Sequence, residues 1–257
     1  MKITDFIWLP YSDSKEDYRD HIACAAIEEN WGPKRKYLFD YVSDNFELAH
    51  AQGKIKEPAD KAYFLFRIGT LSTRGGEPIT MLAMKNRLPN KQPYVFSKIF
   101  TGNRFTIRLE NSEVTEVAPS SPTYNIEPIH TDYNLVFNFD HYLKDHEERV
   151  SEKLPTLNSH QRFLCIYAAL QLAYKRADLC AVKQWYCDKN ADEGNYQWLL
   201  PLHISEENID SKPDLIATLD PRKEYSEYYI RTVLPPEFSY GHARAISMRN
   251  PHFSSWA

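Results

Sequence analysis

The sequence lacks long hydrophobic runs. No apolar segment approaches the roughly 20 residues that a membrane-spanning helix needs, and residues 1–5 lack the apolar core of a signal peptide. The chain has only four cysteines and no C-x-x-C pair. In an unexported protein such cysteines are reduced thiols, and a zinc site made of cysteine alone is not expected. These absences predict a cytoplasmic protein that does not contact a membrane.

Known catalytic signatures are also missing. The sequence has no G-x-S-x-G element, no H-E-x-x-H motif, no dinucleotide-binding fingerprint and no set of protein-kinase motifs. Gly75-Gly76 is not followed by Gly-Lys-Ser/Thr, so it predicts a turn and not a phosphate loop. No cofactor is therefore expected, and the sequence leaves open whether the protein is an enzyme.

Acidic residues are absent from one long segment, between Glu77 and Glu110. The cations of this basic-aromatic segment are Lys85, Arg87, Lys91, Lys98, Arg104 and Arg108, and its aromatic residues are Tyr94, Phe96, Phe100 and Phe105. Cations neutralise phosphates and aromatic rings stack on bases, so the segment predicts binding to RNA or a nucleotide. The alternative is a half-buried strand with its cations in solvent and its rings packed beneath.

The overall charge limits where such a ligand would bind. The formal net charge is −4, whereas proteins that coat nucleic acid without sequence preference are normally basic. We therefore expect any nucleic-acid contact to be restricted to a patch.

Hydrophobic periodicity predicts an α+β fold, in which a single domain has a largely antiparallel β-sheet flanked by helices. Helices are predicted over 14–29, 36–52, 139–152, 159–177 and 235–248. Strands are predicted over 62–68, 78–84, 104–109, 112–118, 134–137, 180–186, 196–202, 214–219 and 228–234. The proline-containing stretch 118–128 is the best candidate for a linker, and a subdivision of the domain is possible there.

Several short segments resemble elements of one known family. Residues 183–186 (KQWY) are similar to its Pro-Gln-Tyr-Tyr element, and residues 197–202 (QWLLPL) to its Gln-x-Leu-Leu-Pro-Leu strand. Further similar segments are 69–71 (GTL), 90–96 (NKQPYVF), 214–217 (DLIA) and 240–246 (YGHARAI). Together they span most of the chain and resemble the domain of unknown function 3825 family. Lys183 replaces a proline of the family pattern, and His242 replaces an asparagine.

This resemblance implies a cytosolic microbial protein. Members of the family are often joined to RNA-associated modules, such as cold-shock or OST-type helix-turn-helix domains. The resemblance implies no established reaction, and RNA or a nucleotide remains the expected partner class.

The predicted ligand-binding residues come from three regions of the sequence. They are Lys85, Arg87, Asn90, Lys91, Tyr94, Arg104, Gln184, Tyr186 and Arg244. A loop with polar side chains and a fixed proline, such as 90–93, is suited to clamp a ligand. Gln184 and Tyr186 share one face of a strand, where Gln197 can reach them, and the guanidinium of Arg244 can hold a phosphate bidentately. Arg244 could instead pair with a structural carboxylate such as Asp214.

Two other function classes remain open. An enzyme could be a metal-independent phosphodiesterase or nucleotide transferase acting on RNA or a nucleotide. His242 would serve as acid or base, and Arg244 and Lys91 would stabilise phosphoryl charge. A protein-interaction module in a stress or antiphage pathway would instead recruit a partner through the acidic surface. The sequence does not decide the oligomeric state.

Two Asp-His pairs, Asp140-His141 and Asp145-His146, raise the hypothesis of a metal site, with His130 and Asp132 upstream. The order is Asp-His and not the His-Asp pair of metal phosphohydrolases, and the flanking charges are typical of a solvated helix. We therefore expect a surface helix and no metal.

Overall fold

The computed structural model describes residues 2–10, 17–125, 127–138, 147–186, 194–205, 208, 210–246 and 256. The helices in these residues are α1 (Ile3–Phe6), α2 (Tyr18–Ala25), α3 (Lys36–Ala51), α4 (Glu147–Lys153), α5 (Ser159–Tyr174), α6 (Ala177–Cys180) and α7 (Pro236–Ile246). The strands are β1 (Ile7–Trp8), β2 (Tyr63–Ser72), β3 (Pro78–Lys85), β4 (Tyr94–Thr101), β5 (Arg104–Arg108), β6 (Glu113–Val117), β7 (Asn134–Phe137), β8 (Val182–Tyr186), β9 (Asn195–Leu202), β10 (Leu215–Arg222) and β11 (Glu227–Leu234). The predicted α+β class is confirmed.

Within the described residues the strands form three sheets. Their orders are β1-β4-β3-β2, β7-β11-β10-β9-β8 and β5-β6. Neighbouring strands are antiparallel except for β1 with β4 and β7 with β11. The largely antiparallel arrangement follows from short connections, since a parallel neighbour requires a long crossover.

The chain divides into two compact units. Unit 1 comprises Met1–Tyr124 and Cys187–Gly194, and unit 2 comprises Asn125–Tyr186 and Asn195–Ala257. The division between Tyr124 and Asn125 lies within the stretch 118–128. That the whole chain folds as one domain stays a prediction.

The core of unit 1 forms where α3 packs against β2. The ring centroid of Phe46 on α3 lies 5.9 Å from that of Phe64 and 5.6 Å from that of Phe66 on β2, and all three side chains are buried. Aromatic pairs at these separations add to the free energy gained by burying apolar area. The helix ends before Gly53, which has a φ of +63°.

The β5–β6 hairpin packs on the first sheet through a small apolar cluster that includes Tyr63, Leu65, Phe105 and Ile107. Beside this cluster the buried carboxylate of Glu116 accepts hydrogen bonds from the Tyr63 hydroxyl and the Lys56 ammonium. These bonds connect β6 to β2 and to the segment before it.

The stretch predicted as a linker is irregular, but in unit 1 it is held by specific hydrogen bonds. The backbone of Thr123 exchanges two bonds with the side chain of Gln52, at 2.7 and 2.8 Å. The Tyr124 hydroxyl donates to Asn45 Oδ1 at 2.6 Å, and the Ser121 hydroxyl donates to the Gly69 carbonyl at 3.0 Å. The chain from 121 to 124 is thus anchored on α3 and β2.

In unit 2, helix α5 covers one face of the second sheet. Asn158 accepts a bond from the Gln161 backbone, and the Gln161 side chain accepts one from the Asn158 backbone, so a capping box begins this helix. Its Ile166 and Leu170 join Leu200 and Leu202 of β9 in the main apolar cluster. Helix α7 packs against β8, β9 and β10, and its buried residues are not members of that cluster. It therefore covers the opposite face.

Most predicted elements are present, with two notable differences. Strand β4 was not predicted, because cations and polar residues interrupt its apolar positions and a solvated loop gives a similar pattern. Much of the predicted helix 139–152 lies outside the described residues, which resume with α4. No helix in the described part of the chain has the length and hydrophobicity needed to span a bilayer.

Candidate functional site

A structured loop connects β3 to β4 in unit 1. Asn86 organises it: its backbone N–H donates to the Pro93 carbonyl at 2.8 Å, and its side-chain amide donates to the Gln92 carbonyl at 2.9 Å. Its side-chain oxygen also accepts from the Leu88 backbone at 3.0 Å. Gln92 in turn donates to the Thr4 carbonyl on α1 at 3.2 Å. The loop therefore holds its exposed side chains on a fixed backbone.

A groove runs between this loop and β1. We call it the Trp8 groove; its volume is 970 Å³, and its lining residues are Asp5, Trp8, Asn86, Leu88, Asn90, Lys91, Gln92 and Val95. In β1 the side chain of Ile7 is buried, and that of Trp8 is 50% exposed because alternate residues face opposite sides of a strand. Trp8 pairs with Val95 of β4, which places the indole beside the groove.

The electrostatics of the Trp8 groove depend on Lys91 and Asp5. Lys91 is exposed and makes no ion pair with any described residue, so its ammonium is available to an anion. Asn90 has a φ of +60°, a left-handed conformation that asparagine tolerates better than most residues. The groove therefore combines an aromatic face, amide groups, one cation and one carboxylate.

The other predicted residues of unit 1 have different surroundings. Arg87 forms an exposed ion pair with Glu110, and Arg108 forms one with Glu113. Lys85 at the end of β3 and Arg104 at the start of β5 are exposed, and neither has an ion-pair partner in the described ranges. The structure thus brings Asn90 and Lys91 into one groove, and it places Arg104 on a different sheet.

The prediction that Tyr94 contacts the ligand requires correction. Its ring is buried, with its centroid 5.1 Å from that of Phe6 and 5.6 Å from that of Phe64. Its hydroxyl donates to Glu57, and burial together with this carboxylate raises the pKa of Tyr94 well above its ordinary value. Tyr94 is a core residue because the alternation of β4 turns it inward.

The remaining aromatic residues of the basic-aromatic segment also pack mainly inward. Phe96 and Phe105 are buried, and the Phe105 ring stacks on that of Phe100 with centroids 4.2 Å apart. The Lys98 ammonium lies 4.5 Å from the Phe100 centroid. The half-buried strand considered as the alternative therefore describes these rings, and the exposed aromatic side chain beside Lys91 is Trp8.

The predicted residues of unit 2 include a buried polar pair. Gln184 and Gln197 are cross-strand partners on β8 and β9, and the Gln184 amide donates to Gln197 Oε1 at 3.0 Å. Both side chains are almost fully buried, and Nε2 of Gln197 has no hydrogen-bond partner in the described structure. Gln197 therefore reaches Gln184, and a role for Gln184 in ligand binding stays a prediction.

The other three residues predicted in unit 2 differ in exposure. Arg244 on α7 is 4% exposed, whereas Tyr186 and His242 are partly exposed. The carboxylate of Asp214, considered as a partner for Arg244, accepts hydrogen bonds from Ile204 and Ser205. Burial acts to raise the pKa of Asp214, but these bonds outweigh it and hold the pKa below its ordinary value. Roles for Arg244 and His242 in ligand binding or catalysis stay predictions.

The metal hypothesis rested on Asp140-His141 and Asp145-His146, which lie outside the described residues. The upstream pair is described: His130 Nδ1 and Asp132 Oδ1 are 4.0 Å apart, and both side chains are exposed. Among the residues that the structure describes, no group of three or more potential ligands is placed to hold a metal ion.

Sequence reasoning missed two features. Trp8 lies on a two-residue strand, which is too short to show a periodic pattern, so no local signal marked it. Lys183 was noted as a departure from the family pattern, but its surroundings depend on cross-strand neighbours. The alternation of Tyr196 and Trp198 on the next strand is a signal that could have pointed to it.

The fold defines an α+β protein built from largely antiparallel sheets, with a groove of mixed aromatic and polar character in unit 1. The model of a domain of unknown function (DUF3825) matches residues 22–252. The chain therefore belongs to this family. No curated protein and no solved structure matches the sequence.

Proposed function

We propose that the protein binds single-stranded RNA through the Trp8 groove. The observation that carries this proposal is the exposed indole of Trp8 lying along one groove with the ammonium of Lys91, which no described carboxylate pairs with. A base stacks on the indole while an adjacent phosphate contacts the ammonium, which is how many proteins bind single strands with little sequence preference.

The arrangement of the loop supports this function. Asn90 and Gln92 offer side-chain amides, which hydrogen-bond base edges or sugar hydroxyls without adding charge. Lys85 and Arg104 are further exposed cations of unit 1 that extend the electrostatic attraction to a phosphate backbone. The carboxylate of Asp5 also lines the groove and disfavours a phosphate beside it.

The test is fluorescence anisotropy with a labelled single-stranded RNA of mixed sequence. Replacing Trp8 by Ala removes the stacking face and should weaken binding by about 1–3 kcal/mol, which is roughly 5- to 150-fold in Kd. Lys91→Glu should weaken binding about tenfold or more, because it replaces an attraction by a repulsion. Wild-type affinity in both variants would refute the Trp8 groove as the site.

Lys61→Glu is the matched control, since Lys61 is an exposed lysine of the same unit and does not line the groove. It makes the same change in net charge and should alter Kd by less than about twofold.

Running the bound RNA on a denaturing gel separates binding from catalysis: shortened RNA would favour the enzyme with His242 and Arg244. Trp8 and Leu88 are large exposed apolar residues. If the wild-type protein does not bind RNA, this result would favour a protein partner at the groove.

A further inference from the structure

A second cavity lies entirely within unit 2. We call it the Lys183 pocket; it has a volume of 600 Å³, within the range of about 300–1,000 Å³ typical of small-molecule sites. Its inner wall includes Lys183, Tyr196 and Trp198, which share one face of β8 and β9. At its rim are Arg222 and Lys223. The cavity is therefore mainly aromatic inside and cationic at part of its entrance.

The ammonium of Lys183 is the distinctive group of this pocket. The residue is 8% exposed, and its Nζ lies 4.9 Å from the Trp198 ring centroid and 5.7 Å from that of Tyr196. Its hydrogen bond is a long one, at 3.4 Å to Asn125 Oδ1. No carboxylate of the described residues forms an ion pair with it. A buried ammonium without a counterion is costly in free energy, so an anion entering the pocket would supply the missing partner.

The carboxylate of Glu127 does not fill this role. Its Oε2 lies 3.4 Å from the Lys223 ammonium at the exposed rim, and this cation is the main cause that lowers the pKa of Glu127. Glu127 acts on Lys183 only through a longer-range attraction. The effect of burial on Lys183 is larger than this attraction and lowers the pKa of Lys183 below its ordinary value.

His130 and Tyr133 also line the Lys183 pocket, and their contacts form an aromatic wall that is held in place before any ligand binds. The rings of His130 and Tyr133 are stacked, with centroids 4.8 Å apart and an interplanar angle of 12°. The hydroxyl of Tyr174 donates to the backbone carbonyls of both residues, at 2.7 and 2.8 Å, and the backbone N–H of His130 donates to the Tyr228 hydroxyl at 3.0 Å. A preorganised wall loses little conformational entropy when a flat ring packs on it.

From this geometry we infer that the Lys183 pocket binds a nucleoside monophosphate. The phosphate contacts the ammonium of Lys183, with Arg222 and Lys223 at the entrance, and the base packs against the aromatic wall. A nucleotide combines an anionic group with a planar ring, as the pocket requires. The inference does not rest on the Trp8 groove, because the two sites share no residue.

Isothermal titration calorimetry with AMP, GMP, CMP and UMP tests the inference, with the four nucleosides and inorganic phosphate as comparison ligands. At least one monophosphate should bind the wild type with a Kd below about 1 mM and at least about tenfold more tightly than its nucleoside. The inference would be overturned if the wild-type protein bound no monophosphate, or if it bound the nucleosides as tightly as the monophosphates. Tight binding of phosphate alone, with no gain from a base, would also overturn it.

Two variants of the Lys183 pocket extend the test. Lys183→Met keeps the aliphatic stem and removes the charge, so it should weaken nucleotide binding at least about tenfold while leaving the melting temperature unchanged or higher. Glu127→Gln changes an exposed rim residue and removes a carboxylate that repels phosphate, so it should tighten binding. Lys175→Met, at an exposed lysine of the same unit, is the matched control and should bind as the wild type does. Unchanged affinity in both pocket variants would refute the site, whereas Lys91→Glu should leave nucleotide binding intact.

Discussion

At the scale of single residues, burial decides what a charge or an aromatic ring can do. Tyr94 and Trp8 lie on paired strands, yet one ring is in the core and the other is half exposed. Glu116 is a buried carboxylate that is fully engaged, whereas Lys183 is a buried ammonium without a described ion pair. The first stabilises the fold, and the second lies in the pocket that we infer to bind a nucleotide.

Replacing Glu116 by Gln should destabilise the protein by about 1–3 kcal/mol at pH 7, because the bonds from Tyr63 and Lys56 lose their charged acceptor. Burial acts to raise the pKa of Glu116, but Lys56 and Tyr63 outweigh it and hold the pKa below its ordinary value of 4.5. The carboxylate therefore stabilises the folded state above pH 4.5, and this contribution is lost as the pH falls through the folded-state pKa.

Urea unfolding of wild type and Glu116→Gln between pH 7 and pH 3 measures this effect. The difference in free energy of unfolding should shrink in the acidic part of that range. Glu113→Gln is the control on the same strand, since its ion pair with Arg108 is exposed and should contribute less than about 1 kcal/mol. A difference between Glu116→Gln and wild type that stays constant with pH would contradict the assignment.

At the scale of secondary-structure elements, an irregularity in β2 lies where this strand contacts Asn45 of α3. The register of β2 against β3 shifts between Arg67 and Ser72, and Gly69 in this interval has a φ of +53°. Asn45 of α3 approaches the glycine there, and its side-chain amide donates to the Tyr41 carbonyl at 2.8 Å. Any residue other than glycine at position 69 would place a Cβ at this contact.

Gly69→Ala is expected to be strongly destabilising. The new Cβ would lie 2.3 Å from Asn45 Oδ1 and 2.8 Å from the Tyr41 hydroxyl, so buried groups would have to move. Gly76→Ala is the matched control, because Gly76 also has a positive φ of +78°, but a Cβ added there would meet no atom within 4 Å.

We expect Gly76→Ala to lose about 1 kcal/mol from backbone strain alone, and Gly69→Ala to lose roughly 3 kcal/mol or more from strain and steric overlap together. Chemical denaturation of both variants checks the difference. Equal losses would show that the contact with Asn45 relaxes without cost.

At the scale of the whole molecule, the charge distribution separates the two proposed sites from the average surface. The net charge is −4, so the proposed RNA binding depends on local cations such as Lys91 of the Trp8 groove. The two units have separate cores and separate cavities. Each proposed ligand therefore has its own set of variants.

The salt dependence of RNA binding follows from this limited number of cations. If Lys85, Lys91 and Arg104 each neutralise one phosphate, the slope of log K against log salt should be about −2. Anisotropy titrations at several salt concentrations give this slope, and Lys91→Glu should make it shallower by about 0.7. A slope near zero would exclude phosphate contacts from the binding mode.

The sequence by itself determined the α+β class and the positions of most elements. Its family resemblance is confirmed over residues 22–252. These features depend on local periodicity, on turn residues and on short motifs, all of which can be read along the chain. Asn90 and Lys91 could be selected in the same way, because a polar loop ending in proline has a local signature.

Only the tertiary structure decided which of these side chains are buried and which are exposed. Tyr94 turned inward because β4 packs on a core that distant residues build, and Trp8 became exposed because β1 pairs with β4 at its edge. Tyr196 and Trp198 of β9 place aromatic rings beside the Lys183 ammonium of the neighbouring strand β8. Burial and cross-strand proximity join residues far apart in sequence, so no local pattern contains them.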